Sequence, residues 1–482
     1  MNPQLEQVYT YIDAHRDAFV EDLRKFLRQP SVSAENLGLE ECADVLAGLM
    51  RDAGFDVAVM PVAGAGPVVF GEVRPPGAGR TLVCYGHYDV QPPDPLDQWQ
   101  SGPWEAVVRD GRVYGRGATD DKGSLFETVK AVQAWLQGGG TLPVHLIAVF
   151  EGEEEIGSTH FGGWVATHHD LFQRAAGVYG LDANCDRFTG FPRMFLWGSE
   201  EILYVELRAK TARMDIWSGE AGLVPNAAWR LIWALNTLKD EYEKILIDRW
   251  YEDYVPLTDE DLTEYARLPF DARKVAEFFG LPELLGAKSG AEAYRAWYYE
   301  PTCTVAGFHS GYGGPGSKTI VPSEARAKVD FRLRPNQMPE KQFHLLQEHL
   351  RRHGFADIEV IPLPADARPT PLRQVTAPAT WTGADIVRAM SAAARCFFGV
   401  EPIRIGGRKD PAPQRSLVEA HGLGVLPQLG NAALAALGIP DARGWMGDHH
   451  SNVHAPNEFI SIDAFVRGVK IAATIMAEFA RL

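Results

Sequence analysis

Apolar residues recur at helical spacing near both ends of the chain and at strand spacing between them. Val8, Ile12, Phe19, Leu23 and Phe26 predict helix across residues 5–28. Cys42, Val45, Leu46, Leu49 and Met50 predict a second helix, with Gly54 as its C-terminal stop. Short β runs follow at 56–62, 67–73 and 81–85. A helix after Lys122 carries Leu125, Val129, Val132 and Leu136, and strands at 144–150 and 176–181 continue the alternation. Elements in this order predict an α/β fold, an α/β/α sandwich around a central, largely buried and mostly parallel sheet.

The pattern changes near Gly198. A strand at 201–209 places Leu203, Val205 and Leu207 on one face, and a helix carries Ala228, Leu231, Ile232, Leu235 and Leu238. Strands near Cys303 and at 325–333, a helix with Phe343, Leu346 and Leu350, and a strand at 357–362 follow. An acidic, aromatic stretch from about residue 240 to 300 fits neither period. Without it the order is βαββαβ, which predicts an inserted α+β domain. A Pro-rich return linker spans 362–378. Thr382 with Asp385 reads as a capping box opening a helix through Phe398. An apolar helix over 462–482 closes the chain. The expected division is 1–198 and 381–482 for the two parts of the first domain and 199–380 for the insert.

Composition narrows the class. At 482 residues and 46% hydrophobic, the chain is globular and too long for one ordinary domain. A formal charge of −16, without a Lys/Arg cluster, argues against nucleic acid or anionic lipid as partner. The cysteines are 5 in number, scattered and without a CxxC pair, which fits a reducing compartment. The N-terminus reads as helix and not as a signal peptide, and no apolar run approaches the roughly 20 residues of a membrane span. A soluble cytoplasmic protein is expected.

Histidines and carboxylates concentrate in five short segments, four of them at predicted strand ends or strand/helix boundaries. His87 and Asp89 stand two apart in Tyr85–Asp89, so an extended chain puts them on one face. Asp120 and Asp121 follow a glycine-rich turn and open a helix. Glu151, Glu153, Glu154 and Glu155 follow the strand ending at Phe150. Asp182 ends another strand, and His449, His450 and His454 crowd the fifth segment. Spacing alone does not choose among those three histidines. Two histidines with four carboxylates form a donor set suited to a pair of zinc ions. Two neighbouring glutamates can divide metal binding from proton transfer.

The runs GRGATDDKG and VHAPNE, with Ser310–Tyr312, Lys318–Pro322 and Phe331–Pro335, resemble the co-catalytic zinc metallopeptidases. That family includes carnosinase-type dipeptidases, aminoacylases, acetylornithine deacetylases and glutamate carboxypeptidases. All five segments occur in its order along nearly the whole chain, and the dipeptidase branch is the nearest. The resemblance implies two metal ions, zinc by the donor set, though mixed histidine and carboxylate sites also accept manganese or cobalt. Asp120 would bridge them, His87 and Asp182 would complete one site, and Glu155 and His454 the other. It also implies Asp89 orienting His87, Glu154 as general base, a cis peptide after Asp120, and a homodimer through the inserted lid domain. The implied activity is hydrolysis of the amide bond of a small substrate with a free carboxylate, such as a dipeptide or N-acyl amino acid.

Two positions depart from the family pattern. Trp217 stands where the lid domain usually carries a histidine, and Arg408 follows Gly406-Gly407 where a serine is usual. Trp217, Asn226, Arg332 and Arg408 are the candidate substrate-binding residues. The plainer readings are a packed aromatic for Trp217, a structural ion pair for Arg408 and a solvated strand face for Arg332. The aromatic insert with Trp217 favours, as an alternative, a deacylase, deaminase or other amidohydrolase acting on a non-peptide substrate such as an aromatic amide. A metal-stabilised binding protein without turnover is the alternative of another class.

Overall fold

The computed structural model describes residues 3–182, 185–186, 190–196, 201–334, 337–363, 384–405, 430–445, 447–448 and 450–482. Thr382, Arg408, His449 and most of the Pro-rich linker lie outside them. The chain divides into two compact units, Met1–Trp197 with Val375–Leu482, and Gly198–Gln374.

The first unit is built on an eight-stranded sheet. Its centre is a parallel run of His145–Glu151, Thr81–His87, Ala175–Gly180 and Asp441–Trp445. Antiparallel neighbours flank this run, Ala65–Val73 with Asp56–Val62 on one side and Arg193–Leu196 on the other. Strand alternation explains the layers. Leu82, Cys84, Leu146, Ala148 and Phe150 face one core, which is covered by helices Pro3–Ala14, Leu39–Asp52, Lys122–Ala134, Asp385–Phe398 and Ile462–Arg481. Val83, Tyr85, Ile147 and Val149 face the other, beneath Phe161–Thr167 and Gly430–Ala435. The expected α/β/α sandwich is the result.

Two local expectations need correction. The helix predicted over 5–28 is two helices, Pro3–Ala14 and Arg16–Leu27. His15 between them leaves helical geometry at φ −111°, ψ 16°, and its ring stacks on Tyr11 at 3.8 Å. The helix at 385–398 starts on Asp385 behind Ala384, which offers no side-chain cap.

The second unit carries a four-stranded antiparallel sheet in the order Thr302–Ser310, Glu324–Leu333, Glu201–Lys210, Glu359–Pro362. Leu203, Val205, Leu207, Val329 and Phe331 meet Leu231 and Leu346 of helices Ala227–Leu235 and Pro339–Arg352 in one core. The segment that fitted neither period holds three short helices, Asp259–Tyr265, Ala272–Phe278 and Gly290–Tyr298. Its aromatics are largely packing residues. Trp250 is buried on Phe331 with ring centroids 4.8 Å apart, and Tyr298 and Tyr299 are buried as well. Burial of these rings weakens the insert's part in the aromatic-substrate alternative, while Trp217 and Trp297 are exposed. Among the described residues, no helix is long and apolar enough to cross a membrane.

Candidate metal centre

The parallel strands deliver the site residues at their C-terminal ends, where open α/β sheets bind ligands. His87 ends Thr81–His87 and lies beside Glu151 in register. Glu154 and Glu155 sit in the 3-10 turn Glu154–Ile156 just past Glu151. Asp182 follows Ala175–Gly180 by two residues. Asp120 precedes helix Lys122–Ala134, and its peptide to Asp121 is cis, as the resemblance implies. His454 lies in the loop before Phe459–Ser461 with a positive φ of 61°.

These residues converge into two donor groups that share Asp120. One is His87, Asp120 and Asp182, and the other is Asp120, Glu155 and His454, each with ligand atoms within 4.8 Å of one another. His87 Nε2 is 3.3 Å from Asp120 Oδ1, and His454 Nε2 is 2.9 Å from Asp120 Oδ2 and 3.3 Å from Glu155 Oε2. Glu154 belongs to neither group, and its Oε2 stands 4.0 Å from His87 Nε2.

Asp89 acts on both sides of the centre. Its backbone carbonyl lies 3.1 Å from His87 Nδ1, and its carboxylate lies 3.4 Å from the same nitrogen. A hydrogen on Nδ1 leaves Nε2 as the lone-pair atom facing Asp120. The two Asp89 oxygens also accept from the backbone N–H groups of Glu154 and Glu155, each at 3.1 Å. The sequence expectation covered only the contact to His87.

The electrostatics fit divalent cations. Burial, then the Asp120 carboxylate, raises Asp182 to about 7. Burial also raises Glu154, against the pull of His87. Burial opposes charge on His87, yet hydrogen bonding to Asp120 and Asp89 raises it well above the ordinary imidazole value. Hydrogen bonds to Asp120 and Glu155 raise His454 to about 10. So many acids in one buried place call for positive charge. His87 Nε2 and Glu155 Oε1 are buried atoms without a hydrogen-bond partner, and both belong to the donor groups. Carboxylate and imidazole donors of this kind suit zinc, manganese or cobalt.

A family model described as peptidase family M20/M25/M40 matches residues 83–412. The chain belongs to that peptidase family. It is thus a metal-dependent peptidase, and its likeness runs to the dipeptidase branch of the M20 group. It is 26% identical to the Beta-Ala-His dipeptidase of Homo sapiens over 505 residues, covering 99% of this chain and 93% of that protein. It is 28% identical to a Cys-Gly metallodipeptidase of Saccharomyces cerevisiae over 373 residues, covering 72% and 76%. The crystal structure of an M20 family metallo-carboxypeptidase from Sulfolobus solfataricus superposes with a TM-score of 0.78 at 32% identity, covering 96% of this chain and 99% of that one.

The substrate-binding candidates of this M20 chain are placed less uniformly. Trp217 is exposed, on the two-residue strand Ile216–Trp217 paired with Ile320–Val321. Asn226 Oδ1 caps helix Ala227–Leu235, accepting from the N–H groups of Ala228 and Trp229 at 2.9 and 3.3 Å. Arg332 lies opposite Ile202 and Thr302 in the sheet, with Nε 4.0 Å from Asp330. All three are in the second unit, and Arg408 lies outside the described residues.

Sequence reasoning passed over two residues of the first unit. Glu458 closes the VHAPNE run yet received no role, although its place in the motif was a signal. Its carboxylate holds the Asp120 loop through Arg116 and backbone N–H groups. Arg443 gave no motif signal at all, and the structure sets it 3.8 Å from Asp182.

Proposed function

We propose that the protein hydrolyses the amide bond of a dipeptide or N-acyl amino acid carrying a free carboxylate. Two divalent cations, zinc in the first instance, would be held by His87, Asp120 and Asp182 and by Asp120, Glu155 and His454. The observation that carries this reading is the pair of donor groups sharing Asp120, with the Glu154 carboxylate beside them. The names of the human and yeast relatives, a Beta-Ala-His and a Cys-Gly dipeptidase, support a dipeptide.

When bound, such a pair of cations polarises an amide carbonyl and acidifies water. Glu154 takes the proton from the attacking water and delivers it to the departing amine nitrogen. Its raised carboxyl value brings it closer to neutrality, which suits a group that both accepts and donates. Asp89 keeps His87 Nε2 toward the ligand side and ties down the turn of Glu154 and Glu155, so base and ligand are positioned together.

Hydrolysis of a panel of dipeptides and N-acyl amino acids by zinc- or manganese-loaded protein tests the reading. Glu154→Gln is expected to lower kcat by about 10²–10⁴-fold without loss of metal. No turnover across the panel with two cations bound per chain, or an unimpaired Glu154→Gln enzyme, would overturn it.

A homodimer through the inserted domain belongs to the same proposal. Trp229 and Trp233 are exposed on one helix, and the strand Thr302–Ser310 forms an open sheet edge, both of which support it. Sedimentation velocity is expected to show a dimer, and a monomer at micromolar concentration would refute it. Five free cysteines support a cytoplasmic location.

A further inference from the structure

Arg116, Lys122 and Arg443 belong to the segments that carry the centre, and two of them are already committed. Arg116 pairs with Glu458 at 2.8 Å. Lys122 Nζ turns to the Gln29 carbonyl at 2.6 Å. Arg443 is different. Its side chain makes no hydrogen bond among the described residues, and its nearest carboxylate oxygen, Asp182 Oδ2, is 3.8 Å away. That side chain is only partly buried, at 22% exposure, and lies beside Asp182 of the centre.

The fold holds that guanidinium in place without using its donors. Arg443 pairs with Gly180 on the neighbouring strand. With no side chain at Gly180, the arginine stem crosses that strand, its Cγ lying 4.0 Å from where a Cβ would stand. The guanidinium ends over the Tyr85 ring, 5.4 Å from the centroid, on the strand beyond. Tyr85 is itself fixed, donating from its hydroxyl to Glu151 Oε1 at 2.6 Å. Stacking on an aromatic face leaves the planar fork of N–H groups available. Five unused donors on a permanently charged group are costly to bury and match a carboxylate. Asp182 does not meet that demand, because its separation is too long for a hydrogen bond and its oxygens belong to a candidate metal group.

We infer that Arg443 is a specificity-determining residue that receives an anionic group of the substrate on the Asp182 side of the centre. The inference rests on the hydrolase reading above and deepens it. The favoured substrates carry an acidic side chain or acyl carboxylate close to the scissile amide. A positively charged group at that place is disfavoured by the fixed guanidinium.

The test compares wild type, Arg443→Met and Arg443→Lys, all metal-loaded and checked for metal content. Matched dipeptides differ only as Asp against Asn, or Glu against Gln, at each position in turn. Wild type is expected to prefer the acid at one position. Arg443→Met is expected to lose that preference at least tenfold, mainly through KM, and Arg443→Lys to keep part of it. Calorimetry with succinate gives a readout besides turnover, with at least tenfold weaker binding expected in Arg443→Met. Succinate discrimination without hydrolysis of any dipeptide would sink the hydrolase reading and leave Arg443 as an anion site. An unchanged acid-over-amide ratio with unchanged succinate binding overturns the inference. So does loss of metal in both variants, which would make Arg443 a structural partner of Asp182. Should Arg443→Met fail to fold, Arg443→Lys decides, because a structural role gives it no reason to keep the acid preference.

Discussion

Arg116 and Glu458 form a fully buried ion pair, Nη1 to Oε2 at 2.8 Å, across 342 residues of chain. The same carboxylate accepts from the backbone N–H groups of Gly117, Thr119 and Asp120 at 3.0, 3.0 and 3.1 Å. One glutamate thus fixes the loop that presents Asp120 to both donor groups. Glu458→Gln keeps the shape but leaves the Arg116 charge buried without its counter-ion. Breaking a buried pair from one side costs about 3–5 kcal/mol. Urea unfolding is expected to show that loss, together with weaker metal retention. Wild-type stability with full metal content would show that the loop stands without Glu458.

Asp89 makes a comparable demand on charge and shape. Both of its oxygens receive backbone N–H groups, so Asp89→Asn sets an NH2 against one of the two donors. The turn carrying Glu155 then loosens, and so does the His87 ring. Metal affinity, measured against a competing chelator, is expected to fall by about 10–100-fold. Turnover at saturating metal should recover most of its wild-type value. Undiminished affinity with a collapsed kcat would instead place Asp89 in the chemistry.

The legibility of this chain follows the range of its interactions. Strand Asp56–Val62 was readable to the residue, and the buried strands around it nearly so, because alternation and continuous apolar runs are local signals. The centre was readable as a set of strand-end acids and histidines. Choosing His454 over His449 and His450 needed the resemblance, since spacing is blind to which ring meets Asp120. Glu458 was passed over because its partners are hundreds of residues away. Arg443 depends on a neighbour strand lacking a side chain at Gly180, a relation that exists only once the strands are paired. The break at His15 was hidden because both helices bury apolar residues with nearly continuous periodicity.

Metal uptake should expel protons. Hydrogen bonds to Asp120 and Glu155, opposed by burial, raise His454 from 6.5 to about 10 in the metal-free protein. An imidazolium has no lone pair to offer a metal. At pH 7 a cation therefore displaces the His454 proton, and apparent affinity rises with pH. The stability effect has the opposite trend. The folded value lies above the unfolded one, so protonated His454 stabilises the metal-free chain below about 6.5, and that contribution is lost as pH rises through about 10. Calorimetric titration of zinc in two buffers of different ionisation heat counts the protons. Zero release at pH 7 would contradict this account.

Two helical glycines allow a final test of what shapes the Asp120 loop. Gly123 lies in the first turn of Lys122–Ala134, where a Cβ would stand 1.9 Å from the Ala118 carbonyl oxygen and 3.0 Å from its carbon. Gly48 lies inside Leu39–Asp52 with nothing within 4 Å of such a Cβ. Helix propensity alone favours alanine at both sites, by about 0.5–1 kcal/mol. Gly48→Ala is expected to gain that amount in urea unfolding. Gly123→Ala must displace the backbone at Ala118, two residues before Asp120, and is expected to lose both stability and metal. Because propensity predicts the same sign at both positions, opposite signs isolate the close backbone approach that helps set Asp120 in place. Equal gains would mean that the loop can shift at no cost, and the shared position of Asp120 would then have to be held by Glu458 and the hydrogen bonds of Thr119.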